Sequence, residues 1–306
     1  MLALKNLTDN NTIFNRSVRL MGTEFDFNLV TDNAAWALQR IESAINEISR
    51  IEKLLSPFNE DSSISLINRN AGKTAVQVDA ETFRLVDRAL QISALTHGSF
   101  DIAYGVPVND SEGTAVAVKS RTLKKKISLT NYTNVELDHA KQTVFLKNAG
   151  MRISLSAMAR GYAADRAKVV LQMEGVNGGV INMDGDLLTW GLQPDNTAWT
   201  IGAADASKAN EIYANVEISN MAVSTSINPD LVANRAMINA ESGFPVSVTK
   251  SVSIISPTAE LSGAMNGPMF SMGINTGLYL INKLNQIACI AVDDHERVYT
   301  SKHISL

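Results

Sequence analysis

The residues best placed to do chemistry fall in one stretch, 154–191, SLSAMARGYAADRAKVVLQMEGVNGGVINMDGDLLTWG. Ser154-Leu155-Ser156-Ala157 has small side chains, which let a ligand or another backbone come close, and Arg160-Gly161 follows where a helical pattern opens. Unpaired N–H groups at a helix start, the positive end of its dipole and an arginine at the lip together attract an anion. The chemistry on offer is therefore the binding of a phosphate-bearing ligand. The alternative is an ordinary strand–helix turn with Arg160 in solvent. Other chemistries have less to work with. Cys289 is the single cysteine and sits in the apolar run 287–291, which reads as a small core residue on a buried strand. His97, His139, His295 and His303 show no ligand spacing. No residue is assigned a catalytic or metal-ligating role.

The elements that must position this stretch are legible around it. Ala164, Ala167, Val170 and Leu171 recur at helical spacing and predict a helix that ends near Gly175. Residues 178–183 read as a buried strand, Asp184-Gly185 as a hairpin turn and 186–190 as the returning strand. Upstream, 17–30 alternates and predicts strands interrupted at Gly22. Asp32 then caps a long helix with Leu38, Ile41, Ile45, Ile48, Ile51 and Leu55 on its core face. A second helix over 80–95 buries Phe83, Val86 and Leu90, and 109–130 is polar and irregular. Further strands are expected at 144–146, 153–155, 199–203, 211–218, 222–226 and 248–255, with a helix over 261–272. The chain is expected to form one domain over 17–306 after a polar lead at 1–16. With 306 residues, 45% of them hydrophobic, it is long enough to bury a sizeable core. A net charge of −4 argues against a nucleic-acid partner, and the basic run 124–126 reads as a solvated loop. No apolar run is long enough to span a bilayer, and 1–5 is too short for a secretory signal. As given, the chain reads as cytoplasmic, or periplasmic if an export signal was trimmed from it.

Several segments, taken in order, resemble the ApbE family of FAD:protein FMN transferases. Ser154-Leu155-Ser156-Ala157-Met158-Ala159-Arg160-Gly161-Tyr162 stands where the family has an Asp-Leu-Gly-Gly-x-x-Lys-Gly-Tyr-type segment, and Met183-Asp184-Gly185-Asp186 stands at its Gly-Gly-Asp turn. Met21-Gly22-Thr23 matches its opening signature. Phe58, followed by Ser63-Ile64-Ser65 and Asn68, matches an aromatic before Ser-x-(Ile/Leu)-Ser-x-x-Asn. Gly98-Ser99-Phe100-Asp101 matches Gly-x-Phe-Asp, and Ser224-Thr225-Ser226 matches a Thr-Ser-Gly turn. Residues 235–245 resemble His-x-Ile-Asp-Pro-x-Thr-Gly-x-Pro, with Ala236 at the histidine and Ile238 retained. The resemblance covers about 21–273. It implies an α+β fold in which a mixed β-sheet and packed helices enclose an FAD cleft. The FAD contacts it implies are Met21, Phe58, Ser99, Phe100, Asp101, Ser154, Ala157, Arg160, Thr225, Ala236 and Ile238. The implied reaction is transfer of FMN from FAD to a threonine of an acceptor flavoprotein, with release of AMP.

One departure bears on that reaction. The family's last helix carries an aspartate and, four residues on, a threonine that hold magnesium together with a backbone carbonyl at the position of Ala157. In this chain Gly263 and Gly267 occupy the two side-chain positions. Magnesium asks for near-octahedral oxygen coordination, so its involvement is doubtful unless Glu260, Asn266, Asp184 or Asp186 supplies the missing oxygens. Arg160, at the family's lysine position, could contact the pyrophosphate directly. Two readings therefore stand: a flavin transferase with altered metal ligands, or a non-catalytic FAD-binding paralogue.

Overall fold

In the computed structural model, which describes residues 3–4, 13–105, 131–204, 212–228, 249–302 and 304, the elements follow in the order β1 (Ala3–Leu4), β2 (Ile13–Leu20), β3 (Thr23–Val30), α1 (Ala34–Leu55), α2 (Ser63–Arg69), β4 (Val76–Gln77), α3 (Ala80–Leu95), β5 (Ala103–Gly105), β6 (Val135–Asp138), β7 (Thr143–Leu146), β8 (Met151–Ile153), α4 (Ser156–Met173), β9 (Gly179–Met183), β10 (Asp186–Trp190), β11 (Thr200–Ala204), β12 (Ile212–Glu217), β13 (Ala222–Ile227), β14 (Thr249–Ser256), α5 (Ala259–Met272), α6 (Ile274–Ile281), β15 (Ala288–Asp293) and β16 (Val298–Thr300). They gather into two compact units, Met1–Ser49 with Arg160–Leu306, and Arg50–Ala159. The stretch 17–306, expected as a single domain, is thus described in two parts. The lead expected at 1–16 also contributes structure, since Ala3–Leu4 pair with β11 and β2 starts at Ile13.

The first unit is built on an eight-stranded sheet in the order β16-β15-β14-β13-β10-β9-β3-β2. Where a mixed sheet was expected, every pairing among the described residues is antiparallel. Two of the reversals are local. Met21-Gly22, with φ of 50° and 79°, and Asp184-Gly185, with φ of 57° and 99°, are two-residue turns that send the chain straight back from β2 to β3 and from β9 to β10. Gly22 therefore sits in a tight turn. Phe25, Phe27 and Leu29 of β3 are fully buried, each contributing about 1.5–3 kcal/mol by leaving water. Trp190 and Trp199 are buried too, and their indole N–H groups donate to Val176 O and Trp190 O.

Helix α1 buries Ala37, Ile41, Ala44, Ile48, Ile51 and Leu55, an unbroken series of threes and fours. Leu38, expected on that face, is 42% exposed. The cap is Asn33, whose side chain accepts from Trp36 N at 2.9 Å, and not Asp32. Helix α4 begins at Ser156, four residues before the apolar spacing announces it.

The second unit holds α2, α3 and two small sheets, β4-β7-β6 and β5-β8. Asp79 caps α3 through Thr82 N at 2.8 Å. Among the described residues no helix is long and apolar enough to cross a membrane.

Candidate functional site

In the first unit the site is built where α4 meets α5. A Cβ on Gly161 would lie 2.2 Å from Ala259 O, so glycine is what allows the two helix starts to touch. One turn later the Asp165 carboxylate accepts from Ala259 N and Glu260 N, both at 2.9 Å, while Thr258 Oγ1 accepts from Leu261 N. The amides opening α5 are thereby filled by the protein's own oxygens. Arg160, on the turn before Asp165, is exposed, and its charge acts on Asp186.

Asp186 opens β10 and is half-buried. Burial pushes its carboxyl up, while the Ser224 hydroxyl, Thr225 N at 3.1 Å and Arg160 act the other way. Arg160 and Thr225, both expected in the site, thus converge on one carboxylate. Thr225 is already engaged, with its N–H on Asp186 and its hydroxyl 2.9 Å from Ser253 Oγ. Met21 is half-buried in its hairpin turn. That turn and Asp184 adjoin an open cavity of about 440 Å³, lined also by Ser17, Arg19, Thr23 and Glu24.

In the second unit a separate set comes together. Strand β5 pairs with β8, and Ser154 N donates to Ile102 O at 2.9 Å, which sets the 99–101 segment beside Ser154. Asn68 clamps β8 from the other side, donating to Ile153 O at 3.0 Å and accepting from Ile153 N at 2.7 Å. This gives a physical role to the asparagine of the Ser-x-(Ile/Leu)-Ser-x-x-Asn segment: it fixes the strand that delivers the 154–157 turn. Ser154 Oγ accepts from Ser156 N at 3.3 Å, and Ser156 and Ala157 are exposed on the first turn of α4.

Ser99 and Asp101 are exposed and Phe100 is buried, its N–H on Thr96 Oγ1. The two oxygens of Asp101 accept from Ala103 N and Tyr132 N at 2.8 and 3.0 Å. Phe58 is 94% exposed, on a loop tied down by Ser62 Oγ to Ser56 O and Ser65 Oγ to Pro57 O. Ala236 and Ile238 lie outside the described residues.

Two other sequence readings concern metals and thiols. Cys289 is buried and its thiol is pushed up to about 12, which makes it a core residue without nucleophilic character. Among the described residues Asp293, Asp294 and His295 bring potential ligand atoms within 4.8 Å of one another. Asp293, however, already accepts from His295 N, Arg297 N, Arg297 Nε and Tyr299 OH.

A family model described as the ApbE family matches residues 21–291. The chain belongs to the ApbE family. Relatives include the FAD:protein FMN transferase of Klebsiella pneumoniae (strain 342), 26% identical over 303 residues, with 95% of this chain and 92% of the relative covered. The FAD:protein FMN transferase of Treponema pallidum (strain Nichols) is 25% identical, with 86% and 80% covered. Among solved structures, the flavin transferase ApbE from Vibrio cholerae matches with a TM-score of 0.75 at 18% identity, covering 95% of this chain and 97% of that one. The apo form of the Pseudomonas stutzeri flavinyl transferase ApbE gives 0.74 at 20% identity, with 95% of each chain covered. At those identities the structures establish the ApbE α+β fold.

The family's magnesium site can be tested against the residues present. Gly263 and Gly267 both lie within α5 and offer no side-chain oxygen. Gly267 also precedes Pro268 inside the helix, where a proline ring disfavours helical backbone for any residue bearing a Cβ. A β-branched threonine is therefore poorly suited to that position. Those two positions offer the family's ion no side-chain oxygen, and the oxygen-bearing side chains of this unit around them include Glu260 and Asn266 of α5 and Asp184 and Asp186 of the hairpin.

Proposed function

We propose that this protein binds FAD and transfers its FMN half to a threonine hydroxyl of an acceptor flavoprotein, releasing AMP. The observation that carries the reading is Arg160, held exposed on the first turns of α4 by the helix contact at Gly161 and the Asp165 cap. A guanidinium with a permanent charge and a forked set of donors suits a pyrophosphate bridge. The relatives' names supply the reaction class. In balanced form, the hydroxyl oxygen bonds to the FMN-side phosphorus and gives up its proton to a base, the bond from that phosphorus to the bridging oxygen breaks, and AMP leaves with the bridging electron pair.

Because Gly263 and Gly267 do not fit magnesium, no step is routed through an ion. Arg160 offsets developing negative charge on the phosphoryl oxygens, the part that fixed cations play in such transfers. The exposed face of Phe58 offers a stacking surface for a flavin or adenine ring. The reading of a non-catalytic FAD-binding paralogue draws on the two glycines alone and finds no support in the transferase relatives.

Incubation with FAD and a threonine-bearing acceptor domain tests the proposal. The expected products are a covalently yellow acceptor and free AMP in equal amounts. FAD that stays bound after desalting, with no yellow acceptor, would instead favour the paralogue.

A further inference from the structure

Asp186 is backed by a line of donors that nothing in binding alone requires. The Asn266 side-chain amide donates to Ser224 Oγ at 3.0 Å, the Ser224 hydroxyl favours the charged Asp186 carboxyl, and Thr225 N donates to Asp186 Oδ1 at 3.1 Å. Ser224 and Asn266 are 5% and 3% exposed, so the line runs from α5 through β13 out to a half-buried carboxylate. Asn266 Oδ1 is buried and makes no hydrogen bond. Turning that amide over would leave Nδ2 unpaired instead, and would offer the Ser224 hydroxyl a competing acceptor away from Asp186. The orientation with Nδ2 on Ser224 therefore keeps every donor pointing toward Asp186.

Other carboxylates of this unit near the α4 and α5 starts and the hairpin turns are placed differently. Asp165 is taken by two amides, Asp26 is taken by Ser17 and Asn182, Glu260 is buried on the first turn of α5, and Glu24 and Asp184 lie exposed. We infer that Asp186 is the base that takes the proton from the acceptor hydroxyl during flavin transfer, with Ser224 and Asn266 positioning it. This rests on the transfer reaction proposed above. As the hydroxyl oxygen bonds to the FMN-side phosphorus, its O–H bond breaks, the proton passes to Asp186, and AMP departs with the electron pair of the broken P–O bond. A carboxylate accepts the attacking hydroxyl's proton in the same way in other phosphoryl transfers. The charged groups acting on Asp186 are Arg160 from α4, which favours the carboxylate, and Asp184 from the turn, which opposes it.

Transfer rate against pH, with FAD affinity measured separately by titration, tests the inference. Wild-type transfer should fall on the acid side as Asp186 protonates. Asp186→Asn should bind FAD at least as tightly, transfer on the order of 100-fold more slowly or worse, and lose that acid-side fall. Ser224→Ala removes a donor that holds the Asp186 carboxyl down, so its acid limb should move to higher pH, a change that general damage to the fold would not produce. Asp186→Asn transferring within threefold of wild type, or an unmoved acid limb in Ser224→Ala, would overturn the inference while leaving the transfer reading standing. Wild-type protein that binds FAD and transfers nothing overturns that reading, and the inference with it.

Discussion

Arg160 and Asp165 stand five residues apart on α4, and their side chains meet opposite fates: one stays in solvent, the other closes the start of α5. The sequence showed that both were polar residues at a helix opening. It could not show which would be spent on the fold, because the amides that claim Asp165 lie 94 residues away. Asp186 was hidden for the same reason, its partners Ser224 and Thr225 arriving from another strand. Phe58 is the opposite case. Its exposure of 94% leaves it little to contribute to folding, and its place in the site rests on the family resemblance. Phe58→Ala should change the unfolding free energy by less than ~0.5 kcal/mol. It should also weaken FAD binding by about 1–3 kcal/mol, the range for a base stacked on an aromatic side chain. Urea unfolding and FAD titration on the same preparation check both halves. An unchanged affinity would remove Phe58 from the site.

At the scale of elements, apolar spacing made the long helices legible, and α3 falls at 80–95 as the spacing predicted. The start of α4 was missed because Ser156-Ala157-Met158-Ala159 offers a single large apolar side chain, too little for a periodic signal. The sheet's direction was missed because a strand pattern reports which face is buried and not which neighbour it pairs with. Caps are more readable, and one of them carries a pH prediction. Burial pushes up the Asp79 carboxyl at the start of α3, but hydrogen bonds from Thr82 and Ser63 outweigh it and hold the group below the usual carboxylate range. A folded-state value below the unfolded one contributes stability that is present above the unfolded value and is lost as pH falls through the folded one. Asp79→Ala should therefore cost about 1 kcal/mol near neutrality. That cost should narrow as the pH is taken down through the acid end of the carboxylate range. Chemical denaturation of both proteins across that range measures it, and a penalty independent of pH would show that the charge on Asp79 plays no part.

For the whole molecule, the informative signal in the sequence was the order of motifs, each weak alone, running from Met21 to Gly273 within the 21–291 match. Order survives divergence because it reflects a chain path, whereas individual contacts can be exchanged. Gly263 and Gly267, which the resemblance sets at the family's ligand positions, lie within an intact α5 and carry no side-chain oxygen. FAD binding should consequently stabilise the protein without help from a divalent cation. A ligand that binds only the folded state at a hundredfold excess over its Kd contributes about 2.7 kcal/mol, which for a chain of this size raises the melting temperature by several degrees. The rise with FAD should persist when a chelator is present throughout, because Arg160 carries its charge regardless of the metal supply. Disappearance of the rise under chelation, with recovery on adding back magnesium, would mean that oxygens other than those at 263 and 267 hold an ion against the ligand, and the metal-free account of the pyrophosphate contact would fall.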